Sequence, residues 1–438
     1  MSTVNLLNFD KEGTLQSGFP NLAPEITDVV LFSHGWREGP ESASGHYQDL
    51  ADPLDDILAA NSARWQGRTL AYFGVIWPSD KYSDDLTVVD MRQDVSVPIS
   101  PHGEDPLSSA QLQDRSRGVA HFLGIDPDVL ARQSLNAAQN VDARDAFLST
   151  LRDVTAARHE TSADAQTKTE HKGLFRVAGA HIFDTVERDL KYLSSTVANA
   201  VTNNPMISWL KQVRNDGNAR TAFILNLFAY NEMKIRAGLV GRGLAASVLD
   251  QITASKKRIH LVGHSFGARL MTAATAAAKG KIANLILLEG AFSQNALSRD
   301  TVWEHDGAFR VIIDQDRVVG RIVAVHSDHD APVWIAYPLA SRPYLDTYSL
   351  RPAEGAAIGR ANELGPIFGG PDDPYGAIGA NGPQNLASVI RRPIDGLSMP
   401  ALNPGVHALD CTSFVAGHSD VWKRQSAYII AAGLLDSE

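Results

Sequence analysis

The chain has 438 residues, a net charge of −10 and 44% hydrophobic residues. That length accommodates two or three domains, or one large domain with insertions, and the apolar content suits a chain that buries a sizeable core. The acidic balance argues against a basic face for nucleic acid and against simple electrostatic docking on anionic membranes, and a single cysteine, Cys411, excludes an intrachain disulfide.

The first residues, MSTVNLLNFDKEG, show neither a basic n-region nor an apolar h-region, and no run of ~18 uncharged apolar residues occurs along the chain. The expectation is a soluble, cytoplasmic protein with no nucleic-acid partner and no integral membrane segment.

In chain order, DVVLFSHGW (28–36) is an apolar, β-branched run ending in His-Gly, which reads as a buried strand feeding a tight loop. YQDLADPLDDILAANSARW has helical spacing, and RTLAYFGVIWPS (68–79) is a second strand stopped by Pro78. Strand, helix, strand is the signature of a parallel sheet. From about 80 to 220 the chain turns to Asp, Gln, Ala, Ser and Arg with several helical patterns. The clearest is PDVLARQSLNAAQNVDARDAFLSTLRDVTAARHE, and 159–172 reads as a flexible polar loop.

The αβ pattern resumes near 222 with a long helical stretch that Gly238, Gly241 and Gly243 are expected to break. RIHLVGHS (258–265) is a strand, GARLMTAATAAAKG a helix closed by Gly280, IANLILLEGAF (282–292) a strand, and GRIVAVHSDHDAPV (320–333) a strand that breaks at Ser327. Residues 350–405 hold about a third of all Gly and Pro, so they read as loop. GVHALDC (405–411) is a last strand, and SDVWKRQSAYIIAAGLL (419–435) an amphipathic helix with an Asp in its first turn. The fold class is therefore α/β: a mostly parallel central sheet flanked by helices, with a large, mainly helical insertion.

The stretch Gly263-His264-Ser265-Phe266-Gly267 lies between a strand and a helix former. A serine hydroxyl is a poor nucleophile without a base in reach, a group to orient that base, and donors for the oxyanion. The G-x-S-x-G elbow places a serine on a strained strand-to-helix turn, and its glycines leave room for backbone. The bare pentapeptide arises by chance in on the order of one in ten chains this long, with a structural turn serine as the alternative. The elbow demands an acid and then a histidine in later loops. Two strands on, HSDHDAPV offers Asp328 and Asp330, and after the last strand His418 stands in a loop. The loop LFSHGW supplies an oxyanion N–H at Trp36, paired with that of Phe266; His34 either structures that loop or is an ordinary satisfied polar residue.

SHGW, LVGHSFGARL, HSDHDAPV and GHSDVW together resemble the α/β-hydrolase superfamily, in its esterase/lipase-like branch, and MKIRAGLVGRGLAASVL ahead of the elbow is similar to hydrolases of that superfamily. The resemblance covers about 20–80 and 222–438. It implies a core of 1–80 and 222–438, a helical cap or insertion at 81–221, and a Gly/Pro-rich loop insertion at 350–405 near the active site. It implies Ser265 as nucleophile, His418 as general base, Trp36 and Phe266 as oxyanion donors, and Asp330 as the orienting acid. Asp330 is preferred to Asp328 because the family's acid often stands three residues after such a serine, before a small-apolar pair. The implied activity is hydrolysis of a small-molecule ester or lipid-like substrate, or less readily of an amide or thioester. A non-catalytic binding or scaffold protein on this fold, or an acyltransferase with the same triad, are the rival readings.

Other residues have blander readings. Glu289, after LILL, is either an acid placed after an earlier strand or a buried or rim carboxylate. His407 lies inside a strand pattern and reads as a core histidine, and His264 packs beside the serine. His326, Asp328, His329 and Asp330 suggest a metal, but alternate residues of a strand face opposite ways. GLVGRG follows no strand, so it is no dinucleotide site. No cofactor and no metal are expected.

Overall fold

The computed structural model describes residues 2–79, 106–161, 178–184, 186–188, 213–299, 306–330, 332–341 and 369–435. Parts of three expectations fall outside them: 80–105, 162–177 and 189–212 of the insertion (with most of the 159–172 loop), 350–368 of the Gly/Pro-rich segment, and Ala331 beside Asp330.

Eight strands form one sheet in which every pairing is parallel. They are β1 (Val4–Asn8), β2 (Asp28–Ser33), β3 (Leu70–Ile76), β4 (Arg258–His264), β5 (Ile282–Leu288), β6 (Val318–His326), β7 (Val389–Pro393) and β8 (Gly405–Asp410). Their order across the sheet is β1-β3-β2-β4-β5-β6-β8-β7. The central strands are apolar on both faces, as a sheet covered on both sides requires. Val29 and Leu31 of β2, Leu285 and Leu287 of β5, and Ile322 and Ala324 of β6 enter one core. Their neighbours Val30, Phe32, Ile286, Leu288, Val323 and Val325 enter the other.

Helices α1 (Pro40–Ala60) and α7 (Arg424–Leu435) pack together over the second core. Over the first lie α5 (Gly217–Leu244) and α6 (Phe266–Ala277), which pack on each other. Three helices from the 81–221 region, α2 (Ser109–Leu123), α3 (Pro127–Gln139) and α4 (Arg144–Thr161), add to that side, with α2 and α3 against α5. Their apolar residues join the same core as the sheet face. The single helical pattern expected over 127–160 is thus two helices, parted where Asn140 leaves helical geometry and caps a 3₁₀ turn, Val141–Ala143.

Several expectations are corrected. The glycines near 240 do not break α5, which runs unbroken through them to Leu244 and crosses the expected boundary at 221. They permit close packing instead: a Cβ on Gly241 would fall 2.4 Å from the Leu270 carbonyl oxygen of α6. Two edge strands, β1 and β7, lie in segments that carried no strand expectation, β7 inside the 350–405 loop region. The last helix begins at Arg424, so Asp420 precedes it rather than standing in its first turn, and it is buried almost all round rather than amphipathic. Among the described residues no helix is long and apolar enough to cross a membrane.

Candidate active site

Parallel strands bring every loop that follows a strand to one edge of the sheet, the place where open α/β sheets bind ligands. Ser33 is in register with Gly263, His264 with Leu288, Leu288 with Val325, and His326 with Asp410. The residues after these positions therefore meet although tens to hundreds of residues separate them in sequence.

Ser265 sits between β4 and α6 with φ +56° and ψ −119°, a left-handed conformation that costs a side-chain-bearing residue about 1–3 kcal/mol. The surroundings hold it there. Ser265 N–H donates to the Leu288 carbonyl (3.0 Å), and its own carbonyl accepts from Ala291 N–H (3.1 Å). Both flanking glycines are needed for clearance. A Cβ on Gly263 would lie 2.3 Å from the Gly267 oxygen, and one on Gly267 would lie 2.4 Å from the Ser33 and His34 oxygens.

Ser265 Oγ is 2.8 Å from His418 Nε2, and His418 Nδ1 is 2.6 Å from Asp330 Oδ2. All three residues are buried, Asp330 completely. The carboxylate fixes the proton on Nδ1, which leaves Nε2 as the acceptor for the serine hydroxyl. Asp330 Oδ1 accepts from Val333 N–H (3.0 Å). The acid's loop and the histidine's loop are tied together: Ser327 Oγ donates to the Val415 carbonyl (2.7 Å) and Asp328 N–H donates to Thr412 Oγ1 (3.0 Å). Asp328 is held by that loop and remains half-buried outside the Ser265–His418–Asp330 series.

The loop after β2 passes over the serine. A Cβ on Gly35 would fall 2.9 Å from Ser265 Cβ, so only glycine fits this approach. His34 shapes the loop: its Nε2 accepts from Trp77 N–H (3.4 Å), its Nδ1 lies 2.9 Å from the Gly35 carbonyl, and its ring stacks on Trp77. Trp36 follows, its indole edge-on to the Phe266 ring. Phe266 is the first residue of α6, where N–H groups have no partner within the helix.

A cleft of about 240 Å³ opens at Ser265 and His418. Trp36 is its apolar wall, and Glu38, Ser42, His46 and Ser419 are polar ones. Glu38 lies 3.0 Å from His46 Nδ1 and 3.8 Å from His264 Nδ1. Burial alone would raise its carboxyl, but the imidazoles of His264 and His46 more than offset that and hold it well below the carboxylate range. His264 Nε2 donates to the His418 carbonyl (2.7 Å), and burial pushes its imidazole down despite Glu38. Glu38 and His46 carried no sequence signal beyond their place after LFSHGW. His407 is a buried strand residue whose Nε2 contacts the Asn403 carbonyl (2.7 Å).

Among the described residues one trio has metal-ligand types within 4.8 Å: His264, Glu289 and His418. The imidazoles there already serve the contacts above, His418 with both nitrogens. The His326, Asp328, His329 and Asp330 set does not form such a group. The arrangement as a whole offers a hydroxyl with a base in hydrogen-bond reach, a carboxylate behind the base, and a loop and a helix start beside the hydroxyl. No protein-family model matches the sequence, and no curated protein or solved structure is significantly similar to it.

Proposed function

We propose that the chain is a serine hydrolase cleaving a carboxylic ester, or an amide or thioester, through an acyl-enzyme, on an α/β-hydrolase core with 81–221 as its cap. The observation that carries the reading is the unbroken series Ser265 Oγ–His418 Nε2 (2.8 Å) and His418 Nδ1–Asp330 (2.6 Å), built on a serine held at φ +56°. A turn serine kept for structure has no reason to hold that strained geometry with a histidine–carboxylate pair behind it.

In this mechanism Ser265 attacks the carbonyl carbon as His418 Nε2 takes the hydroxyl proton. Asp330 keeps the imidazole in the right tautomer and stabilises the imidazolium. The Trp36 and Phe266 N–H groups receive the oxyanion, each such donor being worth roughly 10²–10³ in rate. His418 returns the proton to the leaving group, and water then repeats the sequence on the acyl-enzyme. Glu38, His46, Ser42 and Ser419 set polar groups along the cleft beside the apolar face of Trp36.

Fluorophosphonate labelling tests the reading. The expected result is one label per chain, at Ser265, with both labelling and nitrophenyl-ester turnover abolished in Ser265→Ala. A chain that does not label would be a binding or scaffold protein, and full turnover by the Ala variant would remove Ser265 from the chemistry.

A further inference from the structure

The end of β5 carries a buried acid for which the mechanism above has no use. Glu289 directly follows Leu288, is fully buried and has φ +47°, left-handed backbone that a residue with a side chain adopts at a cost. It is clamped in place. Its N–H donates to the Val325 carbonyl (3.1 Å), and a Cβ on Gly379 would fall 2.7 Å from Glu289 Cα.

Among the described residues, none gives an N–H or O–H donor to either carboxyl oxygen of Glu289. The side chain it faces is a second acid, Asp330. Two acceptors can share one hydrogen bond only if a proton lies between them. Two carboxylates in contact and away from water do not both ionise. Asp330 accepts from His418 Nδ1–H (2.6 Å) and Val333 N–H (3.0 Å), and both bonds favour its charged form. Glu289 has no comparable donor, so the charge belongs on Asp330 and the proton on Glu289. Burial first, and the Asp330 charge second, push the Glu289 carboxyl well above the usual range.

The other groups facing Glu289 do not reverse this. His264 comes from the end of β4 and His418 from the loop after β8, each within 4.8 Å of it by one ligand atom. Asp420, from the same loop, disfavours a second negative charge. Lys423 favours one, but its ammonium is engaged by Asp420 at 2.6 Å. The Cys411 thiol, at the end of β8, is pushed up chiefly by burial and carries no charge to set against this.

We propose that Glu289 is a positioning residue for the Ser265–His418–Asp330 series: a carboxylic acid whose O–H donates to Asp330 and holds that carboxylate against His418. The inference rests on the hydrolase reading for its consequence. One shared negative charge behind His418, rather than two, orients the imidazole without making it so basic that it keeps a proton and cannot accept the one on Ser265.

The test compares Glu289→Gln and Glu289→Ala with the wild type. His418 is titrated by NMR in the unreacted protein, and fluorophosphonate labelling of Ser265 is timed. Glutamine keeps the shape and a donor but carries no charge. The expected result is an unchanged His418 titration midpoint and near-wild-type labelling in Glu289→Gln. Labelling is expected to slow roughly tenfold to a hundredfold in Glu289→Ala, as for a misplaced catalytic group. If Glu289 is ionised in the wild type, Glu289→Gln removes a charge next to the imidazole and its midpoint drops by about a unit or more; that result overturns the proposal. So does wild-type labelling by a folded Glu289→Ala. The titration needs no turnover, so a chain that fails to label but keeps its midpoint in Glu289→Gln would sink the hydrolase reading and leave the shared proton standing.

Discussion

Two buried aspartate–histidine pairs sit at opposite ends of the same sheet. Asp330 and His418 meet beyond the C-terminal ends of the strands. Asp28, the first residue of β2, meets His260 of β4 near the N-terminal ends, with Oδ1 3.0 Å from Nε2. The difference lies in what surrounds each pair. Asp28 also accepts from both Arg258 (2.8 and 2.9 Å) and Arg68 (2.6 and 3.2 Å), and from Thr27 Oγ1 (2.6 Å). Burial raises its carboxyl, and His260, Arg68 and Arg258 together pull it far below the usual range. The other nitrogen of His260 is taken by Asn284 Nδ2 (2.9 Å). The carboxylate is met by an imidazole, two guanidiniums and a hydroxyl, and the result is a lock between strands. At the other end a single imidazole pairs with Asp330, and its outer nitrogen faces a serine hydroxyl at the edge of a cleft. The pair by itself carries no chemistry. What decides is how many cations saturate the carboxylate and what the second nitrogen meets.

The largest effect that separates the two ends is expected from Asp330→Asn. The amide cannot hold the proton on Nδ1, so the imidazole adopts the wrong tautomer, and loss of the orienting acid costs on the order of 10⁴ in rate. Fluorophosphonate labelling and nitrophenyl-ester turnover should both fall by about that factor while circular dichroism stays that of the wild type. A variant that labels within tenfold of the wild type would make the two pairs equivalent and break the comparison.

Asp28→Asn should do the reverse. It leaves two guanidiniums facing a neutral amide in a buried setting. Removing one partner of a buried pair costs about 3–5 kcal/mol, reduced here because the Arg258 side chain is 41% exposed and water screens its share. Urea unfolding should show a loss of about 2–3 kcal/mol, with labelling per folded molecule unchanged. A stability change under ~1 kcal/mol, or slowed labelling, would mean that the lock is something else.

The same contrast explains what the sequence made legible. The central strands are buried on both faces, so β2, β4 and β5 appear as mainly apolar runs, interrupted by Asp28, His260 and Asn284. The elbow glycines are legible because the serine's backbone allows nothing larger. The order of acid and histidine follows from loops sharing one edge of a parallel sheet. The edge strands β1 and β7 are five residues each; β7 (VIRRP) is half-buried or exposed and carries no apolar signal. Asp330 and Asp328 stand two residues apart in one loop, and only its fold buries one beside His418 and leaves the other half-buried near Thr412. The Asp28 lock joins residues 28, 68, 258 and 260, and nothing local marks any of them. Glu289 and Glu38 are likewise single acids after apolar runs, whose neighbours come from loops far away in the chain.

A third pair lies between the two extremes and gives the smallest predicted effect. His326 ends β6 in register with Asp410 of β8. Asp410 accepts from Thr412 N–H (3.0 Å) and Thr412 Oγ1 (2.6 Å), and His326 Nδ1 has no hydrogen-bond partner among the described residues. Burial pushes the imidazole from 6.5 down to about 4, although Asp410 opposes this. The folded value lies below the unfolded one, so between pH 6.5 and 4 the unfolded chain binds a proton that the folded chain does not. Stability therefore falls as the pH drops through that window. At about 1.4 kcal/mol per unit, a 1.5-unit excursion to pH 5 has a ceiling of about 2 kcal/mol. His326 as a whole is half-buried, so about 1 kcal/mol is the expected share. His260 and His264, also pushed down by burial, add to the same slope. His326→Gln should lose about 1 kcal/mol less than the wild type between pH 7 and pH 5, read from urea unfolding at each pH. An identical loss in both would mean that Asp410 already holds a protonated His326. The pair would then belong with Asp28 as an ion-paired lock rather than with a carboxylate that leaves its histidine neutral.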